Sequence, residues 1–350
     1  MSDQPTAPQP TTSAPRPFWE GVLTGTPVVL TVLSTLLAGL SSTEMSLAQY
    51  HRALSAQHQA KTVDQWSFFQ AKRGRAAGYD TAVDGMIASA SAAGSAPLPV
   101  TPQRVSAELG TSAGANAVTP EMADALTRIV PPFPKLKGDV FEPASAAPKG
   151  LELTPVAPED GTVATLMEAV RRRLTEDQTR DLVGRVDPTA VADSLRAAEY
   201  NANSFDEWSD RIDVPLSAVD ALLRRHAESA AASGDRGKAE SASRLRRDWI
   251  IARDTFLAWR YRIQANFNMR SALLYEVQVR RSSWESAIHI RRCWGYWYGQ
   301  LAVQAAVTVA TMSLAVRSRS LLWAIAAAAS LAGVGYSAGV YLNSVPVPGA

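Results

Sequence analysis

Three stretches of this chain carry no charge at all, and they limit what it can fold into more than anything else in the sequence. Residues 21–41, 295–316 and 321–342 are free of Asp, Glu, Lys, Arg and His. At about 1.5 Å of rise per residue, each is a helix of roughly 32 Å. A bilayer's hydrocarbon core is about 30 Å thick. A helix in a soluble core keeps a polar face, and the last two stretches have almost none. Aromatic residues mark the ends: Phe18 and Trp19 before the first, Trp294, Tyr296, Trp297 and Tyr298 at the second, Trp323 and Tyr341 in the third. Such rings favour the headgroup level. The expectation is an all-α membrane protein with one N-terminal transmembrane helix and a C-terminal transmembrane hairpin, the last two spans separated only by residues 317–320. A cleaved signal peptide is the rival reading of the first stretch. It is the poorer one, because the preceding residues offer only Arg16 and the stretch exceeds a usual signal core.

Averages conceal this. Mean hydropathy is −0.08 and the formal net charge is +2. That charge sums opposed blocks. Residues 139–235 hold 19 acidic and 10 basic side chains, whereas residues 236–292 hold 13 basic and 5 acidic. The basic block leads into the membrane, and Arg280, Arg281, Arg291 and Arg292 read as membrane-surface charges. Nucleic acid is not an expected partner, since no recognition motif accompanies the charge. The arginine count beside the spans favours a cytoplasmic middle region in a multi-pass membrane protein.

Between the spans, the chain reads as a helical stalk with a Pro/Ala-rich tether. Residues 1–20 read as a disordered N-terminus and 43–80 as a stalk helix. Residues 85–160 are half Ala, Ser, Gly and Pro. There Pro97, Pro99, Pro102, Pro131, Pro132 and Pro134 oppose long helices and suggest a flexible tether, with one short helix at 121–130 after Pro120. Residues 162–235 read as an acidic helical region, with helices at 162–183, from Asp187-Pro188 to about 200, and from Pro215 to about 229, and a break at 233–237. Residues 238–292 lack Pro and Gly and read as one long basic amphipathic helix. On it Leu245, Trp249, Ala252, Phe256, Trp259 and Ile263 recur at 4-3 spacing, a coiled-coil-like seam. The stalk helix is its expected partner.

Small residues line the apolar spans: Ala302, Ala306 and Ala310 in the second, Ala328, Ala332, Gly335 and Gly339 in the third. Such stripes let membrane helices approach closely. They are expected to close the hairpin in preference to driving self-association. No span contains an ionisable residue of the kind that marks ion pathways.

Catalytic and metal patterns are missing from the sequence. There is no H-E-x-x-H, G-x-S-x-G, Walker loop or G-x-G-x-x-G. Glu44, His51 and His58 fall seven residues apart, which places neighbours about 10 Å apart along a helix, too far to share one ion. Cys293, the only cysteine, has no local base. The expectation is a protein without a cofactor or metal, and not an enzyme.

Asp64–Lys72 reads DQWSFFQAK. It resembles the D-x-W-x-[YF]-[YF]-Q-A-K signature of a bacterial membrane family called domain of unknown function 4337. In that family the motif follows an N-terminal span, and a charged helix leads to a two-span C-terminus. The resemblance implies architecture and no activity, with the tether and acidic region as a large insertion. Asp64, Trp66, Phe68, Phe69, Gln70 and Lys72 then form a helix-docking motif against the long helix. Together these readings suggest a membrane-anchored scaffold or oligomeric assembly component. Its expected partners are the lipid bilayer and either a second copy or another membrane protein. The alternative is a subunit of an oligomeric channel or transporter.

Overall fold

The computed structural model describes residues 18–109, 118–130, 133, 135–137, 140–142, 148, 150–153, 161–316 and 319–344. Eight helices are described: α1 (Phe18–Ala92), α2 (Pro102–Leu109), α3 (Pro120–Arg128), α4 (Gly161–Arg171), α5 (Glu176–Arg185), α6 (Pro188–Ala232), α7 (Arg236–Ala315) and α8 (Arg319–Ser344). One antiparallel ribbon, β1 (Lys135–Lys137) with β2 (Val140–Glu142), is the only sheet among the described residues. The chain divides into two compact units, Met1–Ser55 with Arg281–Ala350, and Ala56–Arg280. The expected disordered N-terminus lies outside the described residues up to Pro17, and so do Arg317 and Ser318 of the loop expected between the last two apolar stretches.

In the 56–280 unit the core is aromatic. Phe205, Trp208, Ile212, Leu216, Val219 and Leu223 line one face of α6, and they pack with Leu245, Trp249, Phe256, Trp259, Ile263 and Phe267 of α7. Phe205 is fully buried, with ring centroids 5.5 Å from Trp208, 5.8 Å from Trp259 and 5.8 Å from Phe267. The seam on α7 is therefore filled mainly by α6, not by the stalk helix as expected. Within this unit α1 meets α7 through more polar contacts. Tyr79 stacks on Tyr261 at 5.9 Å, and Asp80 pairs with Arg262.

The opposed charge blocks meet here as well. Arg260 of α7 binds Asp213 and Asp210 of α6 at 2.5 and 3.2 Å, and Arg253 reaches Asp220 at 3.2 Å. Asp220 also accepts from the Trp249 indole at 3.0 Å. Two arginines of the basic block and three aspartates of the acidic block thus hold α6 on α7.

Several expected boundaries change. Helix α1 runs unbroken to Ala92, past the expected end of the stalk at residue 80. The Pro-rich region does not behave throughout as a tether: Val100, Val105, Ala125, Leu126 and Ile129 are buried in the aromatic core. Its prolines also start helices. Thr101 and Thr119 cap α2 and α3, with Pro102 and Pro120 as first helical residues, where a missing N–H costs nothing. The expected helix at 162–183 is two. Arg173 adopts a left-handed φ of 58° and closes α4, with Leu174 N–H bonding to Ala169 O at 3.1 Å, a Schellman-type ending. Thr175 and Gln178 then form a capping box for α5. Conversely, Pro215 does not begin a helix. It lies inside α6, because Trp208 and Ile212 before it and Leu216 and Val219 after it face one core. That packing outweighs the lost backbone bond.

In the other unit, Leu30 and Leu37 of α1 pack with Tyr296, Val303, Ala306 and Ala310 of α7 and Ala326 of α8. The Trp323 indole donates to Thr26 Oγ1 at 3.1 Å. Where α7 meets α8, the small residues nearly touch. A Cβ on Gly299 would collide with Ser337 Oγ and lie 2.7 Å from Gly333 O. The buried face of α8 includes Ala326, Ser330 and Ser337, with Gly333 between them. The stripe expected from sequence points elsewhere: Ala332 and Gly335 are exposed, and a Cβ on Gly335 or Gly339 would meet nothing within 4 Å. Ala328 is likewise outside the buried set. On α7 the expected Ala306 and Ala310 are buried, and Ala302 faces Gly333.

Two helices among the described residues are long and apolar enough to cross a membrane: α1 from Thr24 onward, and Ser320–Asn343 of α8. In each, only 22% of the most apolar window is buried. The end of α7 is not among them. Gln300, Gln304, Thr308 and Thr311 dilute its apolar character.

Candidate functional site

The densest grouping of titratable side chains in the 1–55/281–350 unit joins two histidines to two glutamates. His289 Nδ1 of α7 lies 2.5 Å from Glu44 Oε2 of α1. Reciprocally, His51 Nδ1 of α1 lies 2.9 Å from Glu285 Oε2 of α7, as an ion-pair contact without an aligned hydrogen bond. The two imidazoles stack with centroids 5.3 Å apart and planes 9° from parallel. Arg281 donates to Glu285 at 3.0 Å. Around them Ser286 Oγ donates to Ala48 O at 3.0 Å, and Ser55 and Ser283 hydroxyls meet at 3.0 Å. Together these contacts tie α1 to α7. Among the described residues no three His, Cys, Asp or Glu side chains are disposed to share a metal ion.

Spacing along α1 alone sets Glu44 and His51 too far apart to share a site. Glu285 and His289 supply the missing half. They sit one helical turn apart on α7, so each can face one residue of the seven-spaced pair on α1. The E-x-x-x-H spacing is the signal that sequence reasoning missed.

The docking motif is divided by the structure. Trp66 and Phe69 meet edge to face at 5.4 Å. Lys72 lies 4.0 Å from Asp206 of α6. Burial pushes its ammonium down from the usual lysine value; Asp206 opposes that shift, and Arg260 and Arg75 add to it. Asp64 is exposed, and Phe68 is 54% exposed. Gln70 is outside the buried set as well. The motif therefore does not form one docking face.

The four membrane-surface arginines also separate. Arg280 is mostly buried and donates to Leu174 O at 3.0 Å, Thr179 Oγ1 at 3.1 Å and Glu276 at 3.3 Å. It clamps the α4–α5 turn instead of facing lipid. Arg281 is held by Glu285. Arg292 stacks over Tyr341 at 4.9 Å. Only Arg291 is exposed with no hydrogen-bond or ion-pair partner among the described residues. Cys293 is buried, 3.4 Å from Ser41 Oγ.

In the 56–280 unit, two buried polar features stand out. Asp248 is 2% exposed and accepts from Leu98 N–H at 3.2 Å, Arg104 at 2.7 Å and Arg247 at 2.9 Å. Tyr275 donates to Glu199 at 2.6 Å; burial and then that carboxylate push its phenol well above the usual range. Nearby, burial and secondarily Lys61 hold the His58 imidazole below its ordinary value. An open groove of about 510 Å³ lies between α3 and α6, floored by Met122, Trp208, Ile212 and Pro215. None of these features places a nucleophile beside a base.

No family model matches the chain, and no curated protein or solved structure is significantly similar to it. The resemblance carried by Asp64–Lys72 therefore rests on those nine residues and the arrangement of apolar segments.

Proposed function

We propose that the chain is an integral membrane protein with three spans, formed by the start of α1, the end of α7 and α8, and that its helical body serves as a membrane-anchored scaffold. The exposed apolar surface of the span-bearing unit carries this reading. Val28, Val29, Val32 and Leu36 of α1 are 55–66% exposed, and Leu321, Leu331 and Leu342 of α8 are 63–74% exposed. Monomeric soluble proteins rarely leave so large an apolar patch to water. The contact of Gly299 with Gly333 supports counting the end of α7 as a span beside α8, which makes the C-terminus a two-span hairpin. The scaffold reading is supported by a body in which ion pairs such as Arg260–Asp213, Arg253–Asp220 and Arg104–Asp248 join one helix to another. Apolar spans free of ionisable residues favour it over a channel subunit.

A bacterial inner membrane with a cytoplasmic body is the proposed location, on the arginine bias and the motif resemblance. Self-association is part of the proposal too, but the seam on α7 gives it no support, since α6 occupies it. The membrane reading is tested by expressing the full chain in a bacterium and washing its membranes with alkaline carbonate. The chain is expected to stay in the pellet. Release into the supernatant would contradict integral insertion.

A further inference from the structure

At the level where α7 enters its apolar stretch, a groove of about 450 Å³ opens between α7 and α8. Its wall is Arg291, Trp294 and Gly295 on one helix and Tyr336, Gly339 and Asn343 on the other. Arg291 is the one membrane-proximal arginine of the four whose charge nothing among the described residues answers. The neighbouring Arg292 is turned onto Tyr341, and Arg281 is held by Glu285. Two of the lining residues belong to a chain of rings: Trp294 stacks on Tyr298 at 6.0 Å, and Tyr298 meets Tyr336 edge to face at 6.5 Å. Trp294 and Tyr336 remain 48% and 53% exposed. Gly339 leaves the floor open, since a Cβ there would meet nothing within 4 Å.

We propose that this groove binds the headgroup of one anionic phospholipid. The inference rests on the membrane reading above. Arg291 supplies the fixed cation for the phosphate, and the Asn343 amide supplies further donors. The aromatic rings suit the interfacial depth at which glycerol and headgroup lie. Next to the groove, exposed Leu342 and Val334 of α8 and Leu301 of α7 provide an apolar surface for acyl chains. A lipid is favoured over a free anion because the charge is single and, Asn343 apart, the rest of the lining is aromatic, aliphatic or glycine. A groove with one arginine has little to hold a small phosphate against water.

Native mass spectrometry of the full chain in a neutral detergent tests this, with phosphatidylglycerol, phosphatidylcholine and inorganic phosphate as probes. One phosphatidylglycerol is expected to be retained about fivefold more tightly than phosphatidylcholine, the factor one arginine is worth near an anionic surface. Arg291→Gln should remove that preference and Arg291→Lys should keep most of it. Gly339→Leu, whose Cβ would meet nothing within 4 Å, places an apolar side chain at the groove and should weaken binding of both lipids. Arg52→Gln, which removes an exposed charge of α1 outside the groove, should change nothing. Equal retention of the two lipids would overturn the proposal. So would an effect of Arg52→Gln matching that of Arg291→Gln, or displacement of the lipid by inorganic phosphate. All variants should remain in carbonate-washed membranes. If the unsubstituted chain is itself released by carbonate, the membrane reading has failed and not the groove alone.

Discussion

Asp248 and His58 show opposite ways for a polar residue to live inside a helical body. The Asp248 carboxylate is buried but answered on every side by Arg104, Arg247 and the Leu98 N–H, as a buried charge must be. His58 has burial without compensation: its Nδ1 finds no partner, and Lys61 adds a like charge. The folded chain therefore binds the His58 proton less readily than the unfolded chain does. Above the ordinary imidazole value both states are neutral and the residue contributes nothing to pH dependence. As pH falls through that value the unfolded state takes up the proton first, and stability drops until the lower folded value is passed. His58→Gln is expected to flatten the loss of stability as pH falls below the ordinary imidazole value of about 6.5, read as the midpoint of thermal unfolding at each pH. An unchanged slope would mean that other groups carry it. Neither environment was legible in the sequence, because Arg104 and Leu98 reach Asp248, and the packing reaches His58, from distant parts of the chain.

At the scale of elements, helix starts were the most legible. A cap residue followed by proline opens α3 and α6, since the two residues act locally and need no tertiary partner; Thr101-Pro102 opens α2 in the same way, although from sequence Pro102 reads only as opposing a long helix. Pro215 lacked such independence, and the core on both sides of it kept α6 continuous. The packing face of α8 was misread for a related reason. In an alanine-rich helix several stripes are equally small, and only the partner helix decides which is used. The observed choice, Gly333 and Ser337 against Gly299, makes a contrast that can be measured. Gly299→Ala should destabilise the 1–55/281–350 unit by about 1–3 kcal/mol through overpacking, whereas Gly335→Ala, open and inside the helix, should be neutral or slightly stabilising. Thermal unfolding of the two variants in the same detergent checks this, and equal midpoints would count against the assigned face.

For the whole molecule, the charge pattern was visible early but its use was not. A net charge of +2 hides an acidic stretch and a basic stretch that meet across α6 and α7, where Arg253 and Arg260 are spent on aspartates. The apolar segments at the two ends were legible because length and absence of charge are properties of the sequence itself. The role of the end of α7 was harder to read, since Gln300 and Gln304 dilute it. That third span is the central claim, and side-specific cysteine labelling tests it most directly. In a Cys293→Ser background, Ala60→Cys and Ser320→Cys both introduce exposed thiols. Three spans place them on opposite sides of the membrane, so an impermeant maleimide applied to one face of sealed vesicles should label one and spare the other. Labelling of both from the same face would show that α7 does not cross, and would contradict the account.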